Sequence, residues 1–144
     1  MRITLEQMTP DIQALLDQPV LARLATAHPE SGQPHVVPVW FGWDGESIWI
    51  SAFASTRKVK DLRRNPRCAV LIEPTVPDSK PQAILFEGQA ELISEPRQLV
   101  MEKSLWIYQR YLGEAGVQAE DPQSWSRDPE NTLICLPARE IFTW

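Results

Sequence analysis

A length of 144 residues and a net charge of −5 at pH 7 describe one domain, and a chain of this sign repels nucleic acid rather than binding it. The longest unbroken apolar run has five residues, Cys68 to Ile72, whereas a helix that crosses a bilayer needs about 20, so no membrane span is predicted. The start of the chain has no apolar stretch of the secretory kind, and we therefore expect a cytoplasmic protein.

The first half of the chain predicts one helix followed by three strands. Thr9 caps a helix that has Pro10 at its first position and ends before Pro19. Three runs of β-branched and apolar residues then predict strands over residues 20–28, 34–41 and 47–53. Asp44 and Gly45 stand between the last two runs and predict a tight hairpin turn that joins them.

The second half of the chain adds two helices to further strands. Residues 55–65 predict a short helix with hydroxyl residues at its start, and residues 94–113 predict a longer one. A polar loop is expected over residues 114–131, and strands are expected over residues 67–73, 82–93 with a bend at Gly88, 132–136 and 139–144. This order is typical of an antiparallel β-barrel with a few flanking helices. We therefore assign residues 1–144 to a single domain of the mainly β (α+β) class.

The predicted hairpin over residues 34–53 has no polar side. Its first strand carries Val37 and Val39 on one side and Pro38 and Trp40 on the other, so both sides need cover. We expect one side to fill the barrel core and the other to meet a partner subunit or a ligand. Pro38 has no backbone N–H to donate, which marks an edge or a bulge and leaves nearby backbone groups free for a ligand.

The segment 57–67 holds six of the 14 basic residues and a single acid, so it carries +5 within a chain of net −5. Arg57 and Lys58 stand in the first turn of the predicted helix, where the free N–H groups are already positive. A phosphate held there by both cations and by the hydroxyls of Ser55 and Thr56 would remove the repulsion. The alternative is a basic face that is simply exposed to solvent.

Side chains for nucleophilic or acid–base catalysis are not grouped in this sequence. His28 and His35 flank a predicted turn, and neither has a serine or cysteine nucleophile beside it. Cys68 and Cys135 lie inside apolar runs, which predicts buried free thiols and neither a disulfide nor a metal site. Most of the six tryptophans are expected in the core or an interface, and one or two to flank a planar ring. An enzyme with this sequence would need a cofactor to carry its reaction.

Residues 21–73 resemble a known family in the order of their motifs. They read LARLATAHPESGQPHVVPVWFGWDGESIWISAFASTRKVKDLRRNPRCAVLIE, and weaker similarity follows at residues 87–90 and 142–144. This order resembles the pyridoxamine 5′-phosphate oxidase-like, flavin-binding split-barrel superfamily, especially its small members that use FMN or the deazaflavin coenzyme F-420. The resemblance implies a split barrel that forms a homodimer with two cofactor sites at the subunit interface.

The resemblance also implies roles for individual residues. Those that would lie along the flavin ring through their backbone groups are Val37, Pro38 and Val39. Those that would reach the phosphate of the ribityl chain are Ser51, Thr56, Arg57 and Lys58, and Ser55 joins them by its place at the helix start. The walls that the second subunit would supply are Trp106 and Trp144.

The activity implied by the resemblance is hydride transfer between the cofactor and an unidentified small molecule, with the protein orienting both. FMN and F-420 both present a phosphate to the same helix start, so both stay open. The alternative is a non-catalytic protein of the same fold that stores a flavin or haem. Vitamin B6 oxidation is not expected, because the chain ends at Trp144 without the arginine-bearing segment that the oxidase uses for the vitamin's phosphate.

Overall fold

The structure, a computed structural model, describes residues 1–144 as ten strands and four α-helices, with a short 3-10 turn at Leu5–Gln7. The strands are β1 (Arg2–Ile3), β2 (Ala22–Ala27), β3 (Pro34–Val39), β4 (Gly42–Trp43), β5 (Ser47–Phe53), β6 (Arg67–Ile72), β7 (Ile84–Gln89), β8 (Glu91–Ile93), β9 (Asn131–Pro137) and β10 (Glu140–Thr143). The helices are α1 (Pro10–Asp17), α2 (Arg57–Arg64), α3 (Arg97–Gly116) and α4 (Glu120–Arg127). None of them has the length and apolar character needed to cross a membrane.

The strands form two antiparallel sheets. The large sheet has the order β1-β10-β7-β6-β2-β3, and the small sheet has the order β4-β5-β9-β8. The chain passes between the sheets four times. It does so at residues 40–41 between β3 and β4, through α2 between β5 and β6, at Ala90 between β7 and β8, and at residues 138–139 between β9 and β10. Both sheets contribute to the main apolar core, where Phe41 and Phe86 are fully buried. The predicted antiparallel split barrel of the α+β class is confirmed.

The alternation of side chains along β5 decides what faces the core. Ile48, Ile50 and Ala52 are buried in the main core, while Trp49 and Ser51 face the opposite side of the small sheet. Helix α3 packs on that opposite side. The polar position on β5 is therefore covered by a helix instead of facing open solvent.

The hairpin turn at Asp44 and Gly45 is confirmed, but it joins a shorter strand than predicted. The Oδ1 atom of Asp44 accepts two backbone N–H groups of the turn, each at 2.8 Å, and Gly45 has a φ of 97°. The turn connects β4 to β5, whereas β3 is an edge strand that pairs with β2 in the large sheet. The strand predicted over residues 34–41 is interrupted because the N–H and C=O groups of Phe41 bond to side chains of α3.

Two further expectations are corrected by the structure. The strand predicted over residues 82–93 is interrupted at Ala90 where the chain changes sheets, and Gly88 lies within β7. The segment 114–131, predicted as a loop, contains α4. Its residues are mostly polar and few of them are buried, so its apolar periodicity is weak.

Two side chains of α3 hold the crossing between β3 and β4. Arg110 Nε donates to Phe41 O at 2.9 Å, and Tyr111 Oη accepts a hydrogen bond from the N–H of Phe41 at 3.0 Å. The same guanidinium donates to Leu16 O at 3.1 Å and to Gln18 O at 3.0 Å, at the end of α1. Helix α3 thereby ties α1 to the crossing.

Candidate functional site

Two adjoining clefts lie where α2, α3 and α4 approach the end of β3 and the outer side of β5. The first, of about 330 Å³, is lined by Leu21, Pro38, Val39, Trp40, Ser51, Lys58, Ile107 and Tyr108. The second, of about 280 Å³, is lined by Trp40, Ser51, Ala52, Phe53, Thr56, Lys58, Tyr108 and Trp125. The side chains common to both are Trp40, Ser51, Lys58 and Tyr108. We refer to the two together as the joined cleft.

The turn between β5 and α2 brings the start of the helix beside the joined cleft. Both the N–H and the hydroxyl of Thr56 donate to Phe53 O, at 3.0 and 2.7 Å. Because its hydroxyl is used in this turn, Thr56 does not cap α2 as the sequence predicts. The N–H groups of the first turn of α2 are therefore left without a side-chain acceptor beside Lys58.

Lys58 is a half-buried cation without a protein partner. No carboxylate lies within ion-pairing distance of its Nζ, whereas Arg57 reaches Asp61 at 3.4 Å and Arg64 reaches Glu30 at 2.7 Å. Burial lowers the pKa of Lys58, because the ammonium loses contact with water. An anion that entered the joined cleft would compensate this charge, so the site fits a ligand with a phosphate.

The polar floor of the joined cleft is one hydrogen-bonded network. Ser51 Oγ lies 2.8 Å from Tyr108 Oη and 2.7 Å from Asn131 Oδ1. Ser104 Oγ lies 3.1 Å from Ser51 Oγ and 2.8 Å from Asn131 Nδ2, and both Ser104 and Asn131 are fully buried. Burial raises the pKa of Tyr108, although the serine hydroxyls oppose this, so Tyr108 keeps its proton at neutral pH.

Aromatic side chains form the walls of the joined cleft. Trp40 stacks on Tyr111 with ring centroids 4.9 Å apart and planes at 6°, and it meets Tyr108 edge-on at 6.1 Å. Tyr108 in turn meets Trp125 at 5.9 Å with planes at 90°. Flat apolar walls beside an unpaired cation suit a planar aromatic ligand that carries an anion.

The structure brings together most of the residues that the sequence singled out. Those that line the joined cleft are Pro38, Val39, Ser51, Thr56 and Lys58. Val37 packs against the main core instead, one residue along β3. Ser55 and Arg57 line a separate basic depression of about 610 Å³ with Lys60 and Arg63. Binding roles for these last residues stay predictions.

Trp106 and Trp144 lie outside the joined cleft of their own chain. The ring of Trp106 packs so closely against Gly42 that a Cβ at that glycine would overlap it. The ammonium of Lys103 lies 4.9 Å from the centroid of the same ring. Trp144 is 56% exposed at the end of the chain. Their placement against a second subunit stays a prediction.

Several residues of the site or its floor were not singled out for function from the sequence, and the polar and aromatic ones that matter most are Ser104, Tyr108, Trp125 and Asn131. A signal was present for two of them, because Ser104 and Tyr108 are four residues apart in a helix and so share one face. Asn131 and Thr132 are polar residues at the start of a strand whose other residues are apolar. The contact of Asn131 with Ser51 spans 80 residues of sequence, and no local pattern indicates it.

The chain passes repeatedly between two antiparallel sheets, and a ligand-sized cleft lies beside the edge strand β3. This arrangement defines the split-barrel class of proteins. The sequence profile described as pyridoxamine 5′-phosphate oxidase matches residues 8–144, and the chain therefore belongs to this family. No curated protein sequence matches the chain significantly.

Solved structures share this fold over most of the chain. The conserved hypothetical protein Rv2991 from Mycobacterium tuberculosis has 26% identity and a TM-score of 0.78, with 95% of this chain and 84% of that chain covered. An F-420 reductase has 24% identity, a TM-score of 0.71 and coverage of 90% and 94%. HutZ, a haem storage protein from Vibrio cholerae, has 18% identity, a TM-score of 0.72 and coverage of 94% for both chains. The last two similarities show the fold alone, and the fold does not choose between their functions.

Proposed function

We propose that the protein binds FMN in the joined cleft and acts as a flavin-dependent oxidoreductase on a small molecule. The observation that carries this proposal is Lys58, an unpaired, half-buried cation in a cleft with aromatic walls. FMN offers a phosphate for the cation and a planar ring for the walls. F-420 offers the same two features, and an F-420 reductase shares the fold, so this deazaflavin is the second candidate.

Each part of the joined cleft has one task in this proposal. Lys58 and the free N–H groups at the start of α2 would hold the phosphate. Pro38 and Val39 end an edge strand and line the first cleft, so their backbone lies beside the position proposed for the ring. Trp40 and Ile107 would exclude water from that position. The bound flavin would supply the ring that accepts or donates hydride.

The joined cleft contains little for acid–base catalysis. Its lining includes no carboxylate and no imidazole, and its titratable side chains are Lys58 and Tyr108. Tyr108 keeps its proton at neutral pH because burial raises its pKa. A reaction at this site would therefore depend on how the protein orients a substrate against the ring, which is sufficient for hydride transfer.

Haem binding is the alternative that the shared fold suggests, since a haem storage protein is among the similar structures. Haem iron is usually held by His, Cys, Met or Tyr. Of these residue types only Tyr108 lines the joined cleft, and its oxygen lies 2.8 Å from Ser51. The available side chains therefore favour a flavin.

Titration of the apo protein separates these ligands. We expect quenching of tryptophan fluorescence and flavin-type absorption bands on addition of FMN, with affinity at least about tenfold higher than for riboflavin, which lacks the phosphate. Equal affinity for FMN and riboflavin, or a Soret band with haemin as the tightest complex, would contradict the proposal. Tighter binding of F-420 than of FMN would select the second candidate. A second measurement separates an oxidoreductase from a protein that only carries the flavin. The reduced holoprotein is mixed anaerobically with small-molecule hydride acceptors, and we expect it to be reoxidised faster than free reduced FMN. A flavin carrier would give no such acceleration.

We also propose that a second copy of the chain covers the open side of the joined cleft. Large apolar side chains surround this side in one subunit: Leu21 is 48% exposed, Val36 is 63% exposed and Trp125 is 38% exposed. Val36 is two residues before Pro38 on the edge strand and does not line the cleft. A homodimer through this surface would bury these side chains and complete the site.

Sedimentation velocity tests the homodimer. We expect the wild type to sediment as a dimer at micromolar concentration, and Val36→Glu to shift the protein toward monomer because it buries a charge at the interface. The control is Val76→Glu, since Val76 is 65% exposed in the loop between β6 and β7. A wild type that is monomeric with FMN bound would rule out this interface.

A further inference from the structure

The orientation of the Asn131 amide is decided by its surroundings. Asn131 Nδ2 lies 3.2 Å from the carbonyl oxygen of Ser126 and 2.8 Å from Ser104 Oγ. A carbonyl oxygen can only accept a hydrogen bond, so the atom facing it must be the amide nitrogen. The other end of the amide, Oδ1, therefore faces Ser51 Oγ at 2.7 Å.

The fixed amide determines where the hydroxyl protons go. Asn131 Oδ1 can only accept, so the single proton of Ser51 is donated to it. Ser104 Oγ accepts from Asn131 and donates its own proton to Ser51 at 3.1 Å. Because Ser51 has no second proton, the 2.8 Å contact between Ser51 and Tyr108 requires Tyr108 to be the donor.

The oxygen of Tyr108 then has acceptor capacity and no further proton to give. Ser51 is the partner with which the Tyr108 hydroxyl hydrogen-bonds, and Tyr108 lines both halves of the joined cleft. It stays protonated at neutral pH, because burial raises its pKa. The tyrosine therefore presents lone pairs to whatever enters the site.

Tyr108 stands at the junction of the two clefts together with Trp40, Ser51 and Lys58. The first cleft adds the apolar residues Leu21 and Ile107 beside β3, and the second adds Thr56 at the start of α2. In the function proposed above, the first cleft takes the ring and the second lies toward the phosphate. The chain that links ring and phosphate, a polyol in FMN, would pass the junction.

We propose that Tyr108 is a specificity-determining residue that accepts a hydrogen bond from a hydroxyl of the ligand's polyol chain, with its direction imposed by Asn131, Ser104 and Ser51. This inference rests on the proposed function and names the part of the ligand that Tyr108 would recognise by a hydrogen bond. It also assigns Tyr108 no role as a proton donor to substrate. A ligand with a hydroxyl at this position donates to the tyrosine oxygen, and one without it leaves the acceptor lone pairs of that oxygen without a partner, although its O–H still donates to Ser51.

Binding of FMN and its 2′-, 3′- and 4′-deoxy analogues tests the inference. We expect the wild type to bind FMN about three- to tenfold more tightly than at least one of these analogues, which is the range for a neutral hydrogen bond. Tyr108→Phe should abolish that preference, while Gln109→Ala, which removes an exposed side chain outside the joined cleft on the same helix, should retain it. Retention of the full preference by Tyr108→Phe overturns the inference and leaves FMN binding standing. Failure of the wild type to bind FMN overturns the proposed function and the inference together.

A second experiment tests the direction of the hydrogen bond between the ligand and Tyr108 while keeping the tyrosine side chain in place. Replacing Tyr108 with 3,5-difluorotyrosine makes the phenol a stronger donor and its oxygen a weaker acceptor. Affinity for FMN should fall at a pH where the phenol stays protonated, because the oxygen accepts from the ligand. Affinity that is unchanged or higher overturns the assigned direction. Circular dichroism and thermal unfolding of each variant establish that the comparison is made on folded protein.

Discussion

Lys58→Ala is expected to weaken FMN binding by about 1.5 to 3 kcal/mol, or roughly 10- to 160-fold, which is the range for a hydrogen bond to a charged group. The effect should be large because Lys58 is half-buried and has no carboxylate partner, so a phosphate would be its main counter-charge. Fluorescence titration of the two apo proteins measures the difference.

Helix α2 itself supplies the controls for Lys58. Lys60 is exposed on the same helix and lines the separate basic depression, so Lys60→Ala should change FMN affinity far less. Lys58→Arg should retain a substantial part of the affinity, because it keeps the charge. Riboflavin, which lacks the phosphate, should bind Lys58→Ala and wild type alike. Equal losses of FMN affinity in Lys58→Ala and Lys60→Ala would contradict a local phosphate site.

The pH dependence of FMN binding also tests the role of Lys58, because its protonation predicts the direction in which the affinity changes. Burial lowers the pKa of Lys58, so this ammonium loses its proton at lower pH than an exposed lysine. FMN affinity should fall as pH rises through that pKa, and Lys58→Arg should not show this step. The ligand-free protein should behave in the opposite way. Its folded state binds this proton more weakly than its unfolded state, so this group's contribution to stability increases between the two pKa values as pH rises.

Arg110→Ala is expected to lower the free energy of unfolding by about 2 to 4 kcal/mol, since hydrogen bonds from a charged donor are each worth about 1.5 to 3 kcal/mol and water replaces part of them. The guanidinium donates to Phe41 O at 2.9 Å and to two carbonyls at the end of α1, at 3.0 and 3.1 Å. It also places a positive charge at the negative end of that helix. Urea unfolding followed by far-UV circular dichroism measures the change.

Arg63→Ala is the matched control for Arg110. Arg63 is exposed on α2 and forms no salt bridge, so its removal should change stability by less than about 0.5 kcal/mol. Arg110→Ala should also lower FMN affinity, because the crossing that it holds at Phe41 is adjacent to Trp40 in the wall of the joined cleft. Equal urea midpoints of unfolding for the two variants would show that the carbonyls bonded by Arg110 find other hydrogen-bond partners without the guanidinium.

Local residue chemistry was sufficient for many parts of the fold. Thr9 accepts from the N–H of Ile12 at 3.3 Å and caps α1, as its place before Pro10 predicts. The Asp44–Gly45 turn forms, and Pro38 lies on an edge strand. The helix cap and the turn depend on interactions between residues a few positions apart, and the position of Pro38 depends on its missing N–H group. The sequence pattern therefore predicts each of them directly.

The passage of the chain from β3 to β4 at residues 40–41 could not be predicted from such local patterns. Residues 34–41 read as one strand, since every position after His35 is apolar, and the break depends on Arg110 and Tyr111 from a helix about 70 residues away. Helix α4 was missed for a related reason, because its sequence is mostly polar and carries a weak apolar stripe. Tertiary partners overrode local propensity in the first case, and apolar periodicity was too weak in the second.

For the candidate site, the pattern at the start of α2 singled out Lys58 and Thr56, Pro38 marked the end of β3, and the family resemblance added Ser51. A cation in the first turn of a helix is locally unfavourable and so stands out without any coordinates. The floor beneath them, where Ser51 meets Tyr108 and Asn131 across 57 and 80 residues, came from the packing of α3 on β5 and the pairing of β5 with β9. Hydrogen-bond direction in that network depends on which buried groups face one another, and only the folded arrangement of distant segments sets those neighbours.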